Sequence, residues 1–165
     1  MANRDIYEAR RGIWCVRKRG RAAYFVKTSP GAVFVDPGLD PSGSDMMMGL
    51  QRARVGLSSI RAILLTSGRV EAIGAAIALQ RRSRAKAFCS EGAARRLGTE
   101  LDIQTVGGGD VVAEHFEVLA NPEDSEGLCF YFRPARALFV GDTNCDASTS
   151  EVEIILPCSG PWRDP

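Results

Sequence analysis

The sequence has 165 residues, 45% of them hydrophobic, which suits one soluble domain over residues 1–165 with a buried core rather than two domains. Its 21 basic and 20 acidic residues leave a formal charge of +1, so no overall field draws it to nucleic acid or to an anionic membrane surface. The opening Met-Ala-Asn-Arg-Asp-Ile lacks the apolar run of a secretory leader, and no stretch approaches the ~18 apolar residues of a membrane span. The expectation is a cytoplasmic protein.

From the start of the chain, β-branched and aromatic residues recur between turn signals at Ile6 to Glu8, Ile13 to Val16, Ala23 to Val26 and Ala32 to Val35. This spacing predicts an antiparallel meander, turning at Gly12, Gly20 and Ser29-Pro30-Gly31, and Val35-Asp36-Pro37-Gly38 is expected to end the sheet. Asp45 to Val55 sets Met46, Met47, Leu50 and Arg54 at helical spacing, with Ser44 or Asp45 as its N-cap. The Met46-Met47-Met48 run reads as packing material, since methionine fills irregular core space.

Ile60 to Leu65 is an apolar run suited to a buried strand. Glu71 to Arg82 is expected as a helix with an Arg-rich last turn, Lys86 to Cys89 as a strand, and Glu91 to Leu97 as a further helix. The second half reads as strands at Val111-Val112, Phe116 to Leu119, Leu128 to Phe132, Leu138 to Val140 and Ile154 to Leu156, with Gly107 to Asp110 as a turn. Two sheets with helices packed outside satisfy this order.

Four segments, in order, resemble the metallo-β-lactamase superfamily. Val35-Asp36-Pro37-Gly38 is similar to its strand-ending Asp-x-Gly. The apolar strand leading into Thr66-Ser67-Gly68-Arg69-Val70-Glu71-Ala72-Ile73-Gly74 resembles Thr-His-x-His-x-Asp-His-x-Gly. Gly141-Asp142-Thr143 matches Gly-Asp-Thr, and Pro157-Cys158-Ser159-Gly160-Pro161 resembles Pro-Gly-His-Gly-Pro. Between them, Asn121 to Gly127 fits where the family places Pro-Gly-His-Thr-Pro-Gly. The resemblance implies an α/β, four-layer αββα sandwich of two mixed β-sheets with helices on the outer faces.

In intact members, histidines and carboxylates from these loops hold metal ions that turn bound water into hydroxide. Here the matching positions read Ser67, Arg69, Glu71, Ala72, Asp124, Asp142 and Ser159. Every histidine of the pattern is replaced, by Ser67, Arg69, Ala72, Asp124 and Ser159, and only Asp142 keeps the ligand type. Zinc favours imidazole and thiolate, so the resemblance implies no zinc, no metal cofactor and no catalytic residue of the family's kind. Arg69, set where a cation would sit, is expected to pair with Asp142 or Glu71. His115, the only histidine, lies outside these segments and reads as a packing or surface residue.

The leading functional expectation is a non-catalytic binding or interaction domain. Its emptied cleft would take a small anionic ligand, with Arg69 suited to carboxylate or phosphate, or the domain would dock a protein partner or form a homodimer. The alternative is a hydrolase, phosphoesterase- or lactonase-like, with a weak Mg²⁺ or Mn²⁺ site on Glu71, Asp124 and Asp142. A third idea places a reactive thiol at Cys158 or Cys145, activated by Arg69. Against it, five cysteines (Cys15, Cys89, Cys129, Cys145, Cys158) without Cys-x-x-Cys spacing read as inert reduced thiols.

Overall fold

The computed structural model describes residues 5–142, 151–158 and 162. Four strands open the chain: β1 (Ile6–Arg10), β2 (Ile13–Lys18), β3 (Arg21–Lys27) and β4 (Ala32–Val35). They pair in sequence order as an antiparallel meander, as the turn residues foretold. Asp36 ends the meander but not the sheet. β5 (Ile60–Leu64), β6 (Lys86–Cys89) and β7 (Ile103–Thr105) continue it in parallel, giving seven strands in the order β1 to β7. β7 escapes a reading by hydrophobic pattern, because its Ile-Gln-Thr has no buried residue to mark it.

The parallel strands are joined by helices: α1 (Ser44–Arg52) leads to β5, α2 (Val70–Ile73) and α3 (Ala76–Ser83) to β6, and α4 (Glu91–Leu97) to β7. Gly43, not Ser44 or Asp45, caps α1, in left-handed backbone with φ 72°. The Asp40 carboxylate accepts the Asp45 N–H at 3.1 Å and supplies the acceptor that Gly43 lacks.

The helix expected over 71–82 is split, for a visible reason. The Ala75 N–H leaves the helical ladder to donate to the Gly38 carbonyl at 2.8 Å. Gly74 lies so close to the Leu39 backbone that a Cβ would stand 2.5 Å from the Leu39 oxygen. The loop after β4 therefore docks into the break between α2 and α3.

The second sheet runs β12-β11-β10-β9-β8, from β8 (Val111–Val112), β9 (Phe116–Ala120), β10 (Leu128–Phe132), β11 (Ala137–Gly141) and β12 (Ile154–Pro157). It is antiparallel except for the β11–β12 pair. Between the sheets lies a core of Ile13, Tyr24, Val26, Val33 and Leu64 against Phe116, Phe130, Phe139 and Leu156. Tyr24 and Phe139 meet across it edge to face at 5.4 Å, a favoured aromatic geometry.

A second core, with Phe25, Phe34 and Ile63 under Met46, Leu50, Leu79 and Ala93, seats α1, α3 and α4 on the outer face of the larger sheet. β4 and the interior of β3, residues 22–26, are buried because both faces are covered. No helix among the described residues is long and apolar enough to cross a membrane.

Gly49 sets the approach of α1. A Cβ there would stand 2.9 Å from the Phe25 ring and 3.0 Å from a Val16 methyl. Gly49→Val is expected to overpack this seam and lower unfolding free energy by about 1–3 kcal/mol in urea denaturation; an unchanged midpoint would contradict the packing described.

Candidate functional site

The carboxyl ends of β4 and β5 in one sheet, and of β11 and β12 in the other, gather at one rim of the sandwich, the position where parallel strands usually present binding groups. Asp36, the residue after β4, is 1% exposed. Its Oδ1 accepts the Thr66 N–H at 2.8 Å, and its Oδ2 accepts the Thr66 hydroxyl at 2.6 Å and the Cys158 thiol at 3.1 Å. Both oxygens are thus engaged by groups that follow β5 and β12.

Other hydrogen bonds stitch the same rim. The Thr66 carbonyl accepts the Leu128 N–H, and the Gly141 carbonyl accepts the Cys158 N–H, both at 2.9 Å. The Cys158 carbonyl takes the Ala22 N–H at 2.7 Å. The Tyr24 hydroxyl donates to the Pro157 carbonyl at 2.7 Å. Gly141, with φ 63°, lies directly against the Thr66 side chain, where any Cβ would collide.

Burial pushes the Asp36 pKa up to about 6, against the opposing hydrogen bonds from Thr66 and Cys158. Burial also raises the Cys158 thiol well above its ordinary value, and the neighbouring Asp36 charge adds to it. Cys158 is therefore a protonated donor and not a nucleophile at neutral pH. Cys15, Cys89 and Cys158 are buried thiols outside any disulfide.

Asp142 follows β11 and is held by Arg21 at the start of β3: the arginine Nη2 reaches both carboxylate oxygens, at 2.8 and 2.9 Å, with each side chain 26% exposed. This corrects one of the two expected partnerships of Arg69, since the guanidinium at Asp142 belongs to Arg21; the other, with Glu71, falls on a side chain outside the described residues. Arg69 stands exposed just before α2, its N–H donating to the Ser67 hydroxyl at 3.3 Å in a short turn.

Asp124 serves its own loop. Its Oδ1 accepts the Glu126 N–H at 3.0 Å, as Asn121 accepts that of Glu123, two Asx turns that close the segment between β9 and β10. Ser90 and Arg96 then fasten Glu126 to α4. Ala72 is buried in α2. The Thr66–Leu128 bond brings the Ser67–Ala72 and Asn121–Gly127 loops side by side. Ser159, Cys145 and the Glu71 side chain lie outside the described residues.

His115 immediately precedes β9, at the end away from that loop, and packs edge-on against Phe132, 6.5 Å between centroids. Arg21 and Thr66 were missed as site residues: nothing local marks Arg21, whose partner is 121 residues away.

The donor set can be compared with what a metal requires. Among the described residues no three His, Cys, Asp or Glu side chains stand together in a way that could hold an ion. The two rim carboxylates, Asp36 and Asp142, are turned to protein donors, and a guanidinium adjoins one of them. Such a set does not fit zinc, which takes imidazole, thiolate or free carboxylate.

Asp36 provides a test through pH. A carboxyl whose folded pKa lies above its unfolded value gives stability that is complete below the unfolded value and is lost as pH rises through the folded one. For Asp36 the window runs from 3.8 to about 6, a loss of about 3 kcal/mol at about 1.4 kcal/mol per unit. The stability difference between the parent and Asp36→Asn, followed by urea denaturation from pH 4 to pH 7, is expected to shift by that order against the parent. A difference that does not change with pH would contradict it.

No family model and no curated protein matches the sequence. Solved structures do match. The Rm3 metallo-β-lactamase, 16% identical, superposes with a TM-score of 0.79 over 96% of this chain and 79% of that one. A metallo-β-lactamase from Cronobacter sakazakii (Enterobacter sakazakii) with a HARLDQ motif, 16% identical, gives 0.75 over 94% and 74%. The metallo-β-lactamase SMB-1 in complex with mercaptoacetic acid, 14% identical, gives 0.75 over 90% and 77%. Likeness at such identity speaks for the fold alone. The chain has the metallo-β-lactamase fold, built on a sequence that lacks the histidines of that family's metal-binding pattern.

Proposed function

We propose that this domain is a non-catalytic binding or interaction module whose rim has exchanged metal ligation for internal hydrogen bonds. The observation that carries the reading is the engagement of Asp36 and Asp142: each carboxylate has both oxygens occupied, by Thr66 and Cys158 in one case and by Arg21 in the other. A metal would have to displace those donors and tolerate a fixed guanidinium beside it, which opposes cation binding. The same argument weighs against Mg²⁺ or Mn²⁺ on Glu71, Asp124 and Asp142, because Asp142 is paired and Asp124 closes its own turn.

The HARLDQ motif offers a comparison by letter. Its arginine stands third, as Arg69 does in Ser67-Gly68-Arg69-Val70-Glu71-Ala72. That motif still begins with histidine, whereas this segment begins with Ser67. The rim residues Ser67, Arg69, Glu71, Asp124, Asp142 and Ser159, over buried Ala72, form the proposed cleft surface, with exposed Arg69 as its anion-binding group. Buried Cys15, Cys89 and Cys158, which stand as thiols outside any disulfide, suit a reducing compartment such as the cytoplasm.

Metal analysis of protein produced with zinc, manganese and magnesium supplied is expected to find no stoichiometric ion. Addition of each ion is expected to leave the melting temperature unchanged and to elicit no β-lactamase, phosphoesterase or lactonase turnover. Stoichiometric zinc, or any turnover that depends on an added ion, would overturn the reading.

A further inference from the structure

At the end of the sandwich opposite the rim lie the β1–β2 turn, the end of β3, the amino ends of β5 and β6, and the last turns of α1 and α3. Hydrogen bonds join these pieces. The Lys27 N–H donates to the Gly12 carbonyl at 2.7 Å, the Lys27 ammonium to the Ala53 carbonyl at 3.3 Å, and the Gln80 amide to the Ala85 carbonyl at 2.9 Å.

The formal charge of +1 conceals how charge is divided between the layers. Residues 5–105, which build the larger sheet and its helices, hold 17 Lys and Arg against 9 Asp and Glu, whereas residues 106–165 hold 3 against 11. Arg21, Arg61 and Arg96 spend their charge on carboxylates of the second part, Asp142, Glu114 and Glu126. At the far end the balance differs. Arg10, Arg11, Lys27, Arg54, Arg81 and Arg84 are all exposed, and among the described residues none is in an ion pair. The carboxylates of that end are Glu8, which accepts the Gly12 N–H at 2.7 Å, Asp102, 3.7 Å from Lys86, and Glu100 in the loop leading to β7.

Helix capping accounts for only part of this charge. A helix end carries about half an elementary charge, yet Lys27, Arg52 and Arg54 gather at the end of α1 and Arg81, Arg82 and Arg84 at the end of α3. Arg10 and Arg11 stand in a turn where no helix ends.

The arrangement is a strip. It crosses the larger sheet from β1 to β6, a width of about 24 Å at ~4.8 Å per strand. Cations strung along a line do not converge on a small anion, but they suit a linear one. A nucleic-acid duplex carries one charge per ~1.7 Å, so such a width faces a length of duplex holding about 14 phosphates. Arginine predominates in the strip, and its planar fork fits phosphate oxygens. The exposed large apolar side chains, Leu39, Met48, Val70 and Val111, lie outside it. A protein partner is held chiefly by aromatic and apolar anchors and a membrane surface by an apolar face, whereas phosphate contacts need charge alone.

We infer that this end of the domain binds the phosphate backbone of a nucleic-acid duplex, without regard to base sequence, through Arg10, Arg11, Lys27, Arg54, Arg81 and Arg84. The surface lies at the opposite end from the Ser67–Asp142 cleft and stands whether or not that cleft takes a ligand.

Fluorescence anisotropy of a labelled DNA duplex of ~20 base pairs, about two helical turns, tests it with the full chain. Binding is expected to be saturable, indifferent to the sequence of the duplex, and weakened roughly hundredfold between about 50 and about 200 mM salt, a log–log slope of about −4. Arg10→Gln, Arg11→Gln and Arg81→Gln together are expected to weaken binding at least about tenfold at the lower salt and to reduce the slope by about 2–3, with the urea midpoint unchanged. Arg95→Gln with Arg133→Gln, which removes charge from other faces, should change the affinity less than about twofold. Polyglutamate and phosphatidylserine vesicles, added as competitors at equal charge, are expected to displace the duplex poorly. Absence of binding at the lower salt, binding insensitive to salt, equal losses from the two sets of substitutions, or competitors that displace the duplex as well as unlabelled DNA does would each overturn the inference.

Discussion

A buried carboxyl group joins the two sheets of this protein. Asp36 leaves β4 in left-handed backbone, with φ 46°, and is met by Thr66 from the neighbouring strand and Cys158 from the opposite sheet. Burying an ionised carboxylate is expensive unless every lone pair is answered. That requirement explains several neighbours at once: Thr66 must turn its hydroxyl inward, Gly141 must be glycine to admit it, and Cys158 must remain a thiol to donate. The Cys158 and Thr66 carbonyls then take the Ala22 and Leu128 N–H groups, and the Tyr24 hydroxyl donates to the Pro157 carbonyl, which ties these segments into one rim.

This arrangement gives the lost histidines a physical context. Carboxylates gathered at strand ends repel one another and lose solvation, and something positive or hydrogen-bonding has to compensate. In this chain Thr66 and Cys158 meet that need at Asp36, and Arg21 meets it at Asp142. A rim compensated by its own residues needs no cation to hold its shape, which is what the proposed non-catalytic reading requires.

Much of the fold was legible in the sequence because its signals were local. The meander followed from β-branched runs between turn residues, and β6, α4 and β10 fell where their patterns put them. β7 was not legible, since a short edge strand without a buried face leaves no periodic trace. Nor was the break between α2 and α3, which comes from Gly74 and Ala75 meeting the distant loop at Gly38 and Leu39. At the site, the identity and order of the rim segments could be read, but not their pairing. Arg69 lay within the motif and drew the expectation, whereas Arg21, on a strand from the other end of the chain, made the contact. Sequence proximity to a motif says which loop a residue occupies; which charge it meets is decided by tertiary geometry.

The claim that a protein guanidinium has taken over the neutralisation of Asp142 is tested most directly by a double-mutant cycle. Unfolding free energies of the parent, Arg21→Gln, Asp142→Asn and the double variant, measured at low salt, are predicted to show a favourable coupling of about 0.5–1 kcal/mol or more, diminished at high salt. Strict additivity of the two substitutions at both salt concentrations would contradict the account.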